Sequence, residues 1–116
     1  MFKLLSIALF AVAPSVHAAS LYCVADGLTH NIRAINASAQ ADGWVKVSTV
    51  QYEYLLPSIT VKGSLDSFEV LAEGADRVLL VKTAANQYVL QSLTYNDEKT
   101  VIASSVDDNV WCKKAE

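Results

Sequence analysis

RVLLVKTAANQYVLQSLTY, residues 77 to 95, carries two apolar runs, Val78 to Val81 and Tyr88 to Leu90, separated by the small and polar residues Thr83 to Gln87. Two β-prone runs joined by so short a polar spacer predict a β-hairpin. In the first run both alternating sets are apolar, Val78 with Leu80 and Leu79 with Val81. That pattern predicts a central strand covered on both faces.

Outward from this hairpin the chain keeps repeating strand signals. LYCVA within Ser20 to Ala25 ends at Asp26-Gly27, a dipeptide suited to a tight reversal. Thr29 to Ala37 follows, then the polar loop Ser38 to Gly43, then Trp44 to Tyr54. In that last strand the apolar set changes side near Ser48 and Thr49, which predicts a β-bulge or corner there. Leu55 to Ser58 reads as a turn, because Pro57 has no N–H to give a ladder. Ile59 to Leu65, Thr100 to Val106 and Val110 to Lys113 complete the strand signals, with polar turns at Asn96 to Lys99 and Asp107 to Asn109. Asp66 to Gly74 fits a short capped helix or a strand with Phe68, Val70 and Ala72 facing inward, and explicit alternation favours the strand. Strands at this spacing predict an all-β domain, a small antiparallel meander barrel or sandwich of about eight strands.

Met1 to Ala18 combines Lys3, the apolar run Leu4 to Ala13, a break at Pro14 and a Val16-x-Ala18 site. These are the parts of a cleaved secretory signal, and the run is shorter than the ~20 residues that span a bilayer. One β domain over residues 19–116 is then expected, with a bacterial periplasmic or secreted address and no stable membrane insertion. In an oxidising compartment Cys23 and Cys112 have only each other, so a single disulfide near the two ends is expected to close the domain. Without Lys3, 8 basic residues oppose 12 acidic ones, a balance of −4 that disfavours nucleic acid and anionic membranes.

The chemistry-bearing residues are sparse. His30 is the single imidazole after residue 18 and stands in no nucleophile motif, so no catalytic residue is assigned. Asn96-Asp97-Glu98 and Asp107-Asp108-Asn109 are oxygen-rich, yet neither has the spacing of a calcium loop, and they read as solvated reversals. Four glycines, none spaced as a phosphate cradle, leave no cofactor and no metal expected. The most suggestive segment is Tyr52-Glu53-Tyr54-Leu55-Leu56-Pro57, in which Tyr52, Tyr54, Leu55 and Leu56 carry apolar surface through a turn. Such side chains form an anchor for a protein partner if the turn projects, or a core plug if it folds back. The two-sided apolarity of Val78 to Val81 and of Val101 to Ala103 adds a covering layer or partner chain to the expectation, a homodimer among them.

In size, address and fold class, though not in motif, the chain resembles the bacterial periplasmic inhibitors of lysozyme and the immunity proteins of exported toxins. That resemblance implies a non-enzymatic binding protein that occupies a partner such as a cell-wall hydrolase or toxin. The alternative is a carrier of small apolar ligands with a calycin-like β-barrel, its interior lined by Trp44, Tyr52, Phe68 and Tyr88.

Overall fold

A computed structural model describes residues 19–115, and the signal peptide expected over residues 1–18 lies outside them. The described residues form ten strands: β1 Ser20–Ala25, β2 Ile32–Ala39, β3 Trp44–Gln51, β4 Tyr54–Leu55, β5 Ile59–Lys62, β6 Ser67–Glu73, β7 Asp76–Ala84, β8 Gln87–Tyr95, β9 Val101–Asp107 and β10 Val110–Ala115. They make two antiparallel sheets. One has the order β10-β1-β2-β3-β4 with β5 also on β3, and the other has the order β9-β8-β7-β6. The chain lays down β1 to β5, builds β6 to β9 as the second layer, and returns through Asp108-Asn109 to place β10 beside β1.

The hairpin of residues 77 to 95 is the middle of the four-stranded layer, β7 paired with β8 from Asp76 opposite Thr94 to Ala84 opposite Gln87. Asn86, at φ 64°, supplies the left-handed residue of its turn, a conformation asparagine tolerates. Val78 and Leu80 are buried in the core as expected. Leu79 and Val81 are only half-buried on the outer face, with no layer above them among the described residues, so β7 is covered on one face and not on two.

The alternation of β6 begins as expected, with Phe68 and Val70 buried. A bulge between Glu69 and Leu71 then inserts one residue, and an extra residue reverses which side chains face the core. Leu71 is therefore turned in, opposite Val78, and Ala72 is exposed. Conversely, β3 has no bulge at Ser48 or Thr49. Val45, Val47 and Thr49 stay on the inner face, and the buried Thr49 hydroxyl donates to the Val70 carbonyl at 3.1 Å. The register shift falls instead on β2, between Ile32 and Ala34.

Trp44 to Tyr54 is not one strand. Tyr52, at φ 58°, reverses the chain, and its N–H donates to the Asn31 carbonyl at 2.8 Å. β4 and β5 then run back along β3, with Val50 opposite Leu55 and Val47 opposite Ile59. The spacing between those pairs leaves one extra residue around Pro57, which sits on an edge where its missing N–H costs no ladder bond.

Between the layers Leu21, Ile32, Ile35, Val45, Val47, Phe68, Val78, Leu80 and Leu90 form one buried cluster. Cys23 and Cys112 stand opposite each other in the β1–β10 register and are disulfide-bonded, with their Cα atoms 4.0 Å apart. The bond fastens the returning strand to the first one, and so ties both ends of the domain into one sheet. A structural disulfide suits an oxidising compartment.

Candidate functional site: the outer face of the larger sheet

Strand register assembles a surface that is scattered in the sequence. Trp111 lies opposite Val24, Val24 opposite Ala34, Ala34 opposite Val50 and Val50 opposite Leu55. These five residues, from five strands, cross the outer face as one apolar row. Its ends are open, Trp111 at 62% and Leu55 at 71% exposure. Beside it runs a polar row in which Lys113 faces Tyr22, Tyr22 faces Asn36 and Asn36 faces Ser48.

The charges on this sheet have one sign. Its strands contain no acidic residue, and Arg33, Lys46, Lys62 and Lys113 stand on the outer face, while Lys114, opposite the buried Leu21, is on the other side. Lys62 Nζ lies 5.3 Å from the Trp44 ring centre, a cation–π contact that orients both on the exposed face. The four-stranded layer is the opposite, with Glu69, Glu73, Asp76 and Asp107 against Arg77 and Lys82 in its strands. A chain that is acidic overall therefore presents a basic face, because alternation and register bring together lysines that stand far apart in sequence.

At one end of this face the β3–β4 turn projects. Tyr52, Tyr54 and Leu55 are exposed, whereas Leu56 turns inward against the core, its N–H donating to the Thr49 carbonyl at 2.9 Å. The four residues of the suggestive segment thus divide, three outward and one inward. Arg33 lines a recess of about 590 Å³ with Tyr52, Glu53 and Tyr54. Its guanidinium lies across Gly27, where φ is +84° and a Cβ would come within 2.9 Å of Arg33 Nε. The turn is held from beneath by Gln51, whose Nε2 donates to the His30 carbonyl at 2.9 Å.

His30 is more engaged than a lone rim histidine. Its Nδ1 is 2.8 Å from Glu73 Oε1 and its Nε2 is 3.3 Å from Asp76 Oδ2. Asp76 also accepts from the Thr94 hydroxyl at 2.7 Å. The hydrogen bond from His30, with a further one from Gln51, holds the Glu73 carboxyl below the usual range. Ser92 and Ser105 share a small recess with it, so His30 sits in a polar cluster between the two layers. The cluster pins the loop between β1 and β2 onto the other layer.

The two oxygen-rich turns are reversals capped by their own side chains. Asn96 Oδ1 accepts from the N–H groups of Glu98 and Thr100, and Asp107 Oδ1 accepts from that of Asn109. Among the described residues no group of three or more His, Cys, Asp or Glu is placed to hold a metal ion. Of the aromatic residues named as a carrier lining, Phe68 and Tyr88 are buried in the core, while Trp44 and Tyr52 point outward. An apolar cleft of about 290 Å³ does open between the layers, walled by Leu56, Pro57, Ile59, Leu71 and Ala72. No described helix is long and apolar enough to cross a membrane. Comparison of the chain with family models, with curated proteins and with solved structures found no match.

Proposed function

We propose that this chain is a non-enzymatic periplasmic binding protein that occupies a protein partner, of the kind an inhibitor of a cell-wall hydrolase or an immunity protein for a toxin would meet. The observation that carries the reading is the apolar row from Trp111 to Leu55 on a face whose strand charges are all basic. Exposed aromatic and aliphatic anchors with a charged surround are the composition of an interface core and rim. The complementary surface is an apolar ridge bordered by carboxylates. Nucleic acid is a poorer fit, because apolar side chains and not cations fill the centre of the face.

The test adds the purified chain to a periplasmic extract and follows peptidoglycan hydrolysis and toxin activity, with cross-linking to identify the partner. The wild-type chain suppresses one such activity, and Trp111→Asp and Leu55→Asp, both folded, lose the suppression. Unchanged activity in every assay, or suppression indifferent to both substitutions, rejects the reading. A carrier of a small apolar ligand is the second reading and draws on the cleft beside Leu56 and Pro57. Native mass spectrometry of the purified chain decides it, since a carrier retains a lipid-sized adduct.

A further inference from the structure

A hollow of about 640 Å³ lies on the outer face of the four-stranded layer, on the side of the molecule away from the basic face. Its volume is that of a small-molecule site. Register sets Glu69 opposite Leu79 and Arg77 opposite Leu93, so these four side chains share the outer face, and Tyr95, two residues beyond Leu93, joins them. Leu79, Leu93 and Tyr95 are half-buried and floor the hollow. Glu69 and Arg77, 3.5 Å apart, wall one side, and Asp97 and Lys99 in the β8–β9 turn wall the other. The end is closed by the Gly74-Ala75 turn, where the Ala75 carbonyl accepts from the Tyr95 N–H at 3.0 Å. The β8–β9 turn is fixed as well: the Asn96 N–H donates to the Thr100 carbonyl at 2.9 Å, and Asn96 Oδ1 accepts two further N–H groups. Both walls are therefore preformed, and Asn96 keeps its Nδ2 group to offer a ligand.

We infer that this hollow binds a neutral saccharide, seating one sugar ring at the end of a glycan on Leu79, Leu93 and Tyr95. The charges around it exclude the other ligand classes. Two cations and two carboxylates cancel, so an ion of either sign meets as much repulsion as attraction. A wholly apolar ligand would cover four charges and give them no partner. A zwitterion needs cations gathered at one end and carboxylates at the other, whereas each side here holds one of each. A sugar ring has the matching make-up, because its C–H faces are apolar and the hydroxyls at its rim both donate and accept. Those hydroxyls accept from the Arg77 guanidinium, the Lys99 ammonium and Asn96 Nδ2, and donate to the Glu69 and Asp97 carboxylates, four of the five contacts being charge-assisted. Among the described residues Asp97 and Lys99 make no ion pair, so neither gives up a partner to bind. The hollow and the Trp111 to Leu55 row lie on different layers, and this inference does not depend on the partner reading.

The test titrates maltotriose and tri-N-acetylchitotriose into the purified, isotope-labelled chain and follows amide chemical shifts, with citrate, spermidine and dialanine as the anionic, cationic and zwitterionic comparisons. At least one of the two sugars gives saturable shifts centred on Gly74, Ala75 and the Asn96 to Lys99 turn, with a dissociation constant of about 0.1 to 1 mM. A response to maltotriose alone assigns a plain hexose, one to the chitotriose alone an N-acetylated amino sugar, and one to both a seat for the ring itself. The affinity holds between about 0.05 and 0.5 M salt, because a neutral ligand has no ionic attraction to screen. Arg77→Ala and Tyr95→Ala each weaken binding about tenfold with circular dichroism unchanged. If Tyr95→Ala does not fold, Lys99→Ala takes its place beside Arg77→Ala. No shift with either sugar up to about 10 mM overturns the inference, as do shifts centred elsewhere. So does equal binding of citrate, spermidine or dialanine, or sugar binding indifferent to the substitutions.

Discussion

The Thr49 hydroxyl donates to the Val70 carbonyl across the two layers, at the residue where β6 bulges. A bulge takes its carbonyl out of the ladder, and burial of Val70 leaves that oxygen without solvent. Thr49 is the single buried polar side chain in the described core, and it supplies the missing donor. This explains why β3 keeps a threonine inside in place of switching faces.

Thr49→Val keeps the shape of the side chain and removes the donor. It is expected to destabilise the fold by about 1 kcal/mol, because an orphaned buried carbonyl outweighs the gain from one more methyl group. Urea unfolding at constant m-value measures it. A variant as stable as wild type would mean that the Val70 carbonyl finds another partner.

Reduction of Cys23–Cys112 opens a constraint spanning 89 residues. In the chain-entropy account this removes about 4 to 5 kcal/mol, a large share of the stability of a domain this size. The reduced chain is therefore expected to unfold at far lower urea concentration. Thiol titration of the untreated chain in denaturant should find none free.

Asp107 is pushed above its ordinary value of 3.8, first by burial and then by the neighbouring Asp26, which also hydrogen-bonds to it. A carboxyl that holds its proton more tightly when folded favours the folded state below the unfolded value and penalises it as pH rises through the folded one. Asp107→Asn removes that penalty while still accepting from the Asn109 N–H. It is expected to raise Tm at pH 7 by about 2 to 4 °C, on the scale of a surface charge pair. The gain should fade as pH falls toward 3.8.

Glu73 has the opposite sign. Its carboxyl is lowered from 4.5, chiefly by the hydrogen bond from His30, so it favours the folded state above that pH and loses this as pH falls through the folded value. Glu73→Gln should lower Tm at pH 6, and its curve should meet the wild-type curve in strong acid. Differential scanning fluorimetry from pH 3 to 7 follows both. Parallel curves would show that His30 does not hold Glu73 in solution.

What was legible in the chain was whatever local alternation and turn chemistry determine. The 77–95 hairpin, the strand at Ser67–Glu73 and the capped turns at Asn96 and Asp107 depend on neighbours within a few residues. What was not legible depends on register between distant strands. The Trp111 to Leu55 row needs four pairings, and the basic face needs the same sheet order, so neither has a local signal. The bulge that turns Leu71 inward and exposes Ala72 is invisible for the same reason, since an extra residue shows only against a partner strand. His30 looked solitary because its two carboxylate partners lie more than forty residues away, on β6 and β7.

Leu55 and Leu56 test that distinction directly, being adjacent and alike in sequence and opposite in placement. Leu55 is 71% exposed opposite Val50, while Leu56 packs against the core beside the irregularity at Pro57. Leu55→Ala should change stability by no more than about 0.5 kcal/mol, as exposed sites do. Leu56→Ala removes part-buried methyl groups and should cost about 1 to 2 kcal/mol, below the range for full burial. Binding should divide the other way, with partner affinity lost at Leu55 and kept at Leu56 once the stability loss is allowed for. Equal stability losses at the two positions would mean that the β4 pairing with β3 is wrong by one residue, since a one-residue slip exchanges the faces of the two leucines.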